Sequence, residues 1–499
     1  MEVLSVVEMM RADQLAIAAG TSGFALMQSA GRAVAQIAHG MVRQNTGKIV
    51  IVAGPGNNGG DGFVAATDLA ASGFDIEVVL FGNRADLRGD AALAVAGWRK
   101  PVTPPDRAMF DGCDLVIDAL FGAGLNRALD GEARALVEAI NGCNAPVLAV
   151  DLPSGINGDS GAVMGCAVRA DETVTFFRKK PAHLLLPGRA HCGRIHVADI
   201  GIDDSVLGEI KPAASENTPS VWRGEFPQPS IDGHKYTRGH AVVVSGGIAS
   251  TGAARLAARG ALRAGAGLVT VATPSDALSV NAAALTAIMV RQVNDADALA
   301  AMLDDRRINT CVIGPGNGVG ERTRSMALAA IRAGRSVVLD ADALTSFSDA
   351  PEVLFSELKS QMRSGAILTP HEGEFIRLFK SVTAQNSSFS KLEQTRTAAS
   401  QSGAVVLLKG PDTVIAAPDG RATISANAPP WLATAGSGDV LAGFIAGLLA
   451  QGVAAFEAAS IGAWLHGEAA REFGPGLIAE DLPEALPAVL RRLYAEFGI

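Results

Sequence analysis

Short apolar runs that break into glycine recur along this chain, and a helical pattern follows most of them. Lys48-Ile49-Val50-Ile51-Val52-Ala53 gives way to Gly54-Pro55-Gly56-Asn57-Asn58-Gly59-Gly60-Asp61-Gly62, after which a helix is expected over 63–72. A continuous apolar run of this kind reads as a strand buried on both faces. Further strands are expected at 74–81, 115–118, 146–151, 173–177 and 194–198, behind a helical opening over 6–41 that breaks at Gly20-Thr21-Ser22-Gly23. Strands alternating with helices make a parallel sheet covered on both faces, a Rossmann-like αβα sandwich. Its binding edge lies at the carboxyl ends of the strands. Asn57, Asn58, Asp118 and Asp151 all stand at such ends beside glycine, so they are expected to converge on one pocket. The same stretch also reads as an ordinary glycine turn, although five glycines and three amide or acid side chains exceed what a connector needs.

A second α/β pattern follows. Pro, Ser and polar residues without periodicity mark a linker over 213–232, dividing the chain into domains at 1–212 and 233–499. Strands are expected at 240–245, 268–272, 310–313, 336–340, 366–369 and 404–409, a helix at 251–265, and a hairpin about Asp419-Gly420. One strand ends in Gly314-Pro315-Gly316-Asn317-Gly318. Near the end, Thr434-Ala435-Gly436-Ser437-Gly438-Asp439 runs into an apolar helix. Its glycines let backbone N–H groups close on an anion, and the helix start adds its dipole. Asp439 is then the first candidate for a base beside bound phosphates. Taken alone, the motif is better read as a glycine turn with an aspartate cap on a buried helix.

At 499 residues the chain exceeds one ordinary core, in keeping with two domains. A net charge of -9 without a long basic run argues against nucleic acid as a partner. The longest apolar run, 440–450, is too short to span a membrane. Cys113, Cys143, Cys166, Cys192 and Cys311 are odd in number and scattered. They read as free thiols of a reducing compartment, and with a first stretch unlike a signal peptide they place the expectation in the cytoplasm.

Two sets of motifs now fit known families. Asn57 to Gly62, Asp118-Ala-Leu-Phe-Gly122-Ala123-Gly124, Asp151-Leu-Pro-Ser154-Gly155 and Arg178-Lys179-Lys180-Pro181 resemble the NAD(P)H-hydrate epimerase domain. Gly252-Ala253-Ala254, the run from Ala261 to Thr270, Gly314-Pro315-Gly316, Thr369-Pro370-His371-Glu372-Gly373-Glu374-Phe375, Lys409-Gly410 and Gly436 to Asp439 resemble the ADP-dependent NAD(P)H-hydrate dehydratase of the ribokinase-like superfamily. The resemblance covers nearly the whole chain. It implies repair of reduced nicotinamide cofactors that have taken up water at ring carbon 6. One half interconverts the R and S hydrates, and the other dehydrates the S form with ADP, releasing AMP and phosphate.

The resemblance also implies site residues. K+ falls to Asn58, Asp118 and Ser154, whose hard oxygens suit an alkali cation. The hydrate falls to Asn57, Asn58, Gly59, Gly60, Asp61 and the run Gly122-Ala123-Gly124-Leu125-Asn126-Arg127-Ala128. Asp151 is expected as the acid/base group and Lys180 as a second polar group, with Arg178 and Lys179 as neighbours that leave a solvated basic turn open. In the dehydratase the hydrate falls to Ala253, Gly316, Gly318 and His371-Glu372-Gly373-Glu374-Phe375-Ile376-Arg377. Thr369-x-x-Glu372 also scans as a helix-capping box. The nucleotide falls to Lys409-Gly410-Pro411-Asp412-Thr413 and Thr434 to Gly438, with Mg2+ accompanying ADP and Asp439 as base toward the ring hydroxyl.

A homo-oligomer is expected. Two other readings stay open here. One is a vitamin-precursor-like kinase carrying an accessory N-terminal domain; the other is a non-catalytic binding module in the first half. Asn58, Asp118 and Asp151 have no use in a plain kinase.

Overall fold

The structure is a computed structural model describing residues 2–42, 47–108, 110–228, 230–361, 365–385 and 389–499. The chain forms two compact units, 2–214 and 215–499.

In the first unit, helices α1 (Val6–Ala18) and α2 (Gly23–Met41) precede a six-stranded sheet. Ser5 and Glu8 close a capping box at the start of α1. The strands are β1 (Lys48–Ala53), β2 (Asp75–Leu80), β3 (Leu115–Ala119), β4 (Val147–Val150), β5 (Glu172–Phe176) and β6 (Arg194–Ala198). They run parallel in the order β2-β1-β3-β4-β5-β6. Every residue of β3 and β4 is buried, as their uninterrupted apolar runs require. The order reverses between β1 and β3, so a crevice opens at their carboxyl ends.

The glycine run after β1 is a helix and not the loop expected from the sequence. Helix α3 spans Asn57–Ala71, so Asn57 to Gly62 form its first turns; α4 (Gly89–Gly97) and α5 (Gly131–Gly142) come later in the unit. The glycines serve close packing. A Cβ on Gly59 would lie 1.9 Å from the carbonyl oxygen of Gly54, and one on Gly60 would strike the Met27 side chain of α2.

The second unit has β7 (His240–Val244), β8 (Leu268–Thr273), β9 (Met289–Gln292), β10 (Ile308–Ile313), β11 (Ser336–Leu339), β12 (Ala366–Leu368), β13 (Val405–Leu408), β14 (Thr413–Ala416) and β15 (Ala422–Ser425). Their order is β15-β14-β13-β12-β11-β10-β7-β8-β9, parallel except around the antiparallel β14. The order reverses between β7 and β10, and there the two glycine loops touch: a Cβ on Gly246 would lie 1.8 Å from the Gly316 carbonyl oxygen. Helices α6 (Thr251–Arg263), α7 (Glu372–Leu378), α8 (Ser437–Ala450) and α9 (Ala455–Phe473) follow the site-forming loops or back the sheet. Helix α8 is buried on all sides from Val440 onward. It presses onto α6 through Gly443, whose Cβ would lie 2.2 Å from the Ala257 carbonyl oxygen.

The segment expected as a linker is anchored in this unit's core at a few points. Trp222 and Phe226 are buried in it, and Trp222 Nε1 donates to Asn217 Oδ1 at 3.0 Å. Asn217 in turn donates to Ser425 and to the Ser460 carbonyl, each at 2.7 Å. Hydrophobic anchors spaced among Pro and Ser escape a search for periodicity. Residue 229 of that stretch lies outside the described residues. Among the described residues no helix is long and apolar enough to cross a membrane, and the five cysteines are free.

Candidate active sites

In the first unit the crevice is a cavity of about 630 Å³. Asn57, Asn58, Asp61, Gly122 to Arg127, Asp151 and Lys180 line it, together with Asp13 from α1. Gly59, Gly60 and Ala128 do not line it, because the two glycines face neighbouring backbone and helix.

Asp151 follows β4 with φ 64°, a region non-glycine residues seldom enter. Five contacts over-determine it. Its N–H donates to Val174 O at 2.7 Å, and its carbonyl accepts from His183 Nε2 at 2.9 Å. Its carboxylate accepts from Lys180 Nζ at 2.6 Å, Thr175 Oγ1 at 3.0 Å and Ala123 N at 3.1 Å. Burial works against its charge, but the Lys180 ammonium outweighs burial and holds its pKa below the usual value. The three basic neighbours separate clearly. Lys180 is 2% exposed, whereas Arg178 reaches outward to Glu2 and Asp204. His183 is buried and its pKa falls to about 4, chiefly by burial, so it is neutral: Nε2–H donates to Asp151 and Nδ1 accepts from Lys180 N at 2.9 Å.

Asp118 is fully buried at the end of β3, and burial pushes its pKa to about 6. It accepts from Ser154 Oγ at 2.6 Å and Ser154 N at 2.8 Å. Asn58 sits nearby with both side-chain polar atoms buried and without hydrogen-bond partners. A Cβ on Gly122 would lie 3.0 Å from Asn58 Oδ1 and 3.2 Å from Asp151 Oδ2.

In the second unit, α8 starts at Gly436, with φ 85° and no side-chain cap. Its first N–H groups therefore lack a side-chain cap, with Asp439 the one acid of the first turn. Lys409, after β13, donates to Asp340 Oδ1 at 2.6 Å and lies 4.0 Å from Glu374. A Cβ on Gly438 would lie 3.5 Å from Lys409 Nζ and 4.0 Å from Asp340 Oδ2, so the three converge. Burial disfavours the Lys409 charge, but Asp340 and Glu374 more than offset it and its pKa is raised. Asp439 is pushed to about 6 by burial, reinforced by the Asp340 charge. Between Asp340 and Asp342, Ala341 holds φ 47° and ψ -115°. That turn lets Asp340 face Lys409 while Asp342 accepts from Gly318 N at 2.8 Å.

The His371–Arg377 stretch is a helix start whose capping box differs from the one the sequence scans for. His371 Nδ1 accepts from the N–H groups of Gly373 and Glu374, and Glu374 accepts from His371 N at 2.9 Å. Glu372 stays exposed and is not the box residue. Phe375 cannot offer its ring to a ligand: it is 1% exposed and packs on Phe379 at 5.0 Å between centroids. Asp412 is tied to Lys391 at 2.7 Å, and Thr413 Oγ1 donates to the Gly410 carbonyl at 2.8 Å, so both side chains shape their loop. Ala253 meets the Gly316 loop, at 3.3 Å from where a Cβ on Gly316 would stand.

Asp13, Thr175, Asp340 and Asp342 were not singled out from the sequence. Asp340 and Asp342 carried the signal that marked Asp118 and Asp151, an acid at a strand end.

A family profile described as NAD(P)H-hydrate dehydratase matches residues 241–487, and one described as YjeF-related protein N-terminus matches 23–182. The bifunctional NAD(P)H-hydrate repair enzyme Nnr of Moorella thermoacetica is 37% identical, covering 90% of this chain and 88% of that protein. The enzyme of the same name from Thermofilum pendens is 36% identical over 95% and 93%. This chain belongs to the bifunctional NAD(P)H-hydrate repair enzyme family. Family similarity thus runs through both units and both crevices. Among solved structures, an ADP/ATP-dependent NAD(P)H-hydrate dehydratase from Bacillus subtilis, co-crystallised with ATP/Mg2+, is 27% identical with a TM-score of 0.47, covering 56% of this chain and 98% of that one.

Proposed function

We propose that this chain repairs hydrated nicotinamide cofactors. Residues 2–214 interconvert the R and S hydrates, and residues 215–499 dehydrate the S form at the expense of a nucleotide. The observation that carries this reading is family similarity extending across both units, with a charged cavity in the first and the Lys409–Asp340–Glu374 cluster in the second. A plain kinase gives the first pocket no use.

In the epimerase unit, Asp151 is the base at the hydrated carbon. Its pKa is held down by Lys180, so it is ionised at neutral pH and ready to accept a proton. Asn58, Asp118 and Ser154 are assigned to K+. Asn58 supports this with two buried polar atoms that no protein group satisfies, and all three offer hard oxygen. A bound K+ supplies a fixed positive charge that orients the loops around the substrate.

In the dehydratase unit, Asp439 is the base toward the ring hydroxyl, and a pKa near 6 makes it ionised yet basic at neutral pH. Lys409, the glycine loop and the α8 start hold the nucleotide phosphates by charge and backbone N–H groups. Mg2+ is assigned to the nucleotide's own phosphates, whose hard, charged oxygens suit it.

The test is recovery of reduced-nicotinamide absorbance from NADH hydrate containing both epimers, with ADP, with ATP and with neither. Full recovery with a nucleotide, beyond spontaneous epimerisation, is the expected result. Recovery that stops at the S fraction removes the epimerase assignment, and no recovery removes the repair reading.

A further inference from the structure

We propose that Asp13 on α1 is the acid partner of Asp151, giving a proton to the ring nitrogen while Asp151 takes one from the hydroxyl. The proposal rests on the epimerase reading and deepens it.

Helix α1 is fixed beside the cavity. Its start is capped by Ser5 and Glu8, and Val6 N donates to Asp159 Oδ1 at 2.8 Å. From it Asp13 lines the cavity together with Asp61, Asp151 and Lys180; Asp90 and Arg127 are the other charged residues lining the space. Lys180 is already committed to Asp151. Among the described residues no hydrogen bond or ion pair engages Asp13 or Asp61, and Asp61 is only 8% exposed. Three carboxyl groups around one committed ammonium cannot all carry charge in a half-enclosed apolar cavity. The two unpaired ones therefore keep protons more readily than Asp151.

Depth separates them. Asp61 is held well above the usual carboxylate range, first by burial and then by the Asp151 charge. Asp13 is pushed by burial only to about 6, so it can both give and regain a proton near neutrality. An acid of that strength facing an ionised base is what a reversible epimerisation needs.

The step balances without any oxidant or reductant. Asp151 takes the proton of the hydroxyl on carbon 6, and the freed pair forms a carbonyl. The bond from carbon 6 to the ring nitrogen breaks, its pair goes to nitrogen, and nitrogen takes the proton of Asp13. Rotation about the bond between carbons 5 and 6 presents the other carbonyl face. The reverse transfers close the ring with inverted configuration and restore both residues.

The experiment follows conversion of R to S hydrate by the full chain carrying Asp13→Asn, with dehydratase rate and thermal unfolding as controls. The expected result is an epimerisation kcat down about 100-fold, KM within about threefold, and an unchanged dehydratase. Wild-type kcat should fall as pH rises past about 6, and that fall should vanish in Asp13→Asn. Asp13→Glu, which keeps the acid, should recover part of the rate. An Asp13→Asn enzyme within threefold of wild type overturns the proposal, as does a loss confined to KM or one that Asp13→Glu does not relieve. If the wild type itself fails to epimerise, the epimerase reading falls and takes this one with it.

Discussion

Both units set a candidate base near a lysine at a strand or helix end, yet the two bases are tuned in opposite directions. In the first unit Lys180 bonds Asp151 directly, and the carboxylate is held below its usual pKa. In the second, Lys409 bonds Asp340, and Asp439 is left among carboxylates with its pKa pushed up to about 6. The difference lies in which carboxylate the lysine reaches. A directly paired aspartate is a weak base that is always ionised. An aspartate one neighbour removed is a stronger base that is ionised only above mildly acidic pH.

Removing either base tests this most severely. Asp439→Asn should cut dehydratase kcat by about 100- to 10,000-fold and leave epimerisation within twofold. Asp151→Asn should do the reverse. Assaying both activities on each variant decides it, since the two units fold around separate cores. A variant that kills both activities would show that the sites are not independent.

Breaking the direct pair comes next. Lys180→Met leaves Asp151 buried without its cation, and removing one partner of a buried pair costs about 3–5 kcal/mol. Either the first unit is destabilised on that scale or Asp151 takes up a proton and stops acting as a base at neutral pH. Two-step chemical unfolding and an epimerase pH profile should show the loss in the first unit alone. The linkage sign is fixed by the lowered pKa. The pair stabilises above the unfolded value near 3.8 and loses that stability as pH falls through the folded value, so acid should weaken wild type more than Lys180→Met.

Retuning the indirect pair is gentler. Asp340→Asn removes the repelling charge and leaves Lys409 to favour ionised Asp439. The acid limb of dehydratase kcat/KM, expected near pH 6, should move to lower pH. An unmoved limb would assign it to another group.

Much of this arrangement could be read from the residues. Asp118 and Asp151 stand out because each ends an apolar run near glycine, and Asp439 because it follows a glycine loop and opens an apolar helix. Helix-forming glycines hid themselves, because Gly59 and Gly60 read as a loop until packing against Gly54 and Met27 explains them. The segment 213–232 read as a linker because Trp222 and Phe226 anchor it without periodicity. Asp13 lay in plain sight on a helix, but nothing local tells which face of α1 meets a cavity lined from residues far along the chain. Asp340 was visible as a strand-end acid, and only the fold shows that it takes the lysine Asp439 lacks.

The smallest effect concerns stability. A carboxylate whose folded pKa is raised favours the folded state at low pH, and that contribution is lost as pH rises through the folded value. Asp439 has been raised from 3.8 to about 6, so at pH 8 its ionised form works against folding of the second unit. The side chain is partly open to water, so that penalty is about 1–2 kcal/mol. Asn carries no charge to desolvate. Asp439→Asn, inactive as a dehydratase, should therefore unfold at higher denaturant than wild type at pH 8, with the gap closing by pH 4. Asp151→Asn should show no such gain, because its lysine already compensates the charge. A second unit that strains to keep its base ionised, beside a first that does not, is the stability cost of placing Lys409 on Asp340.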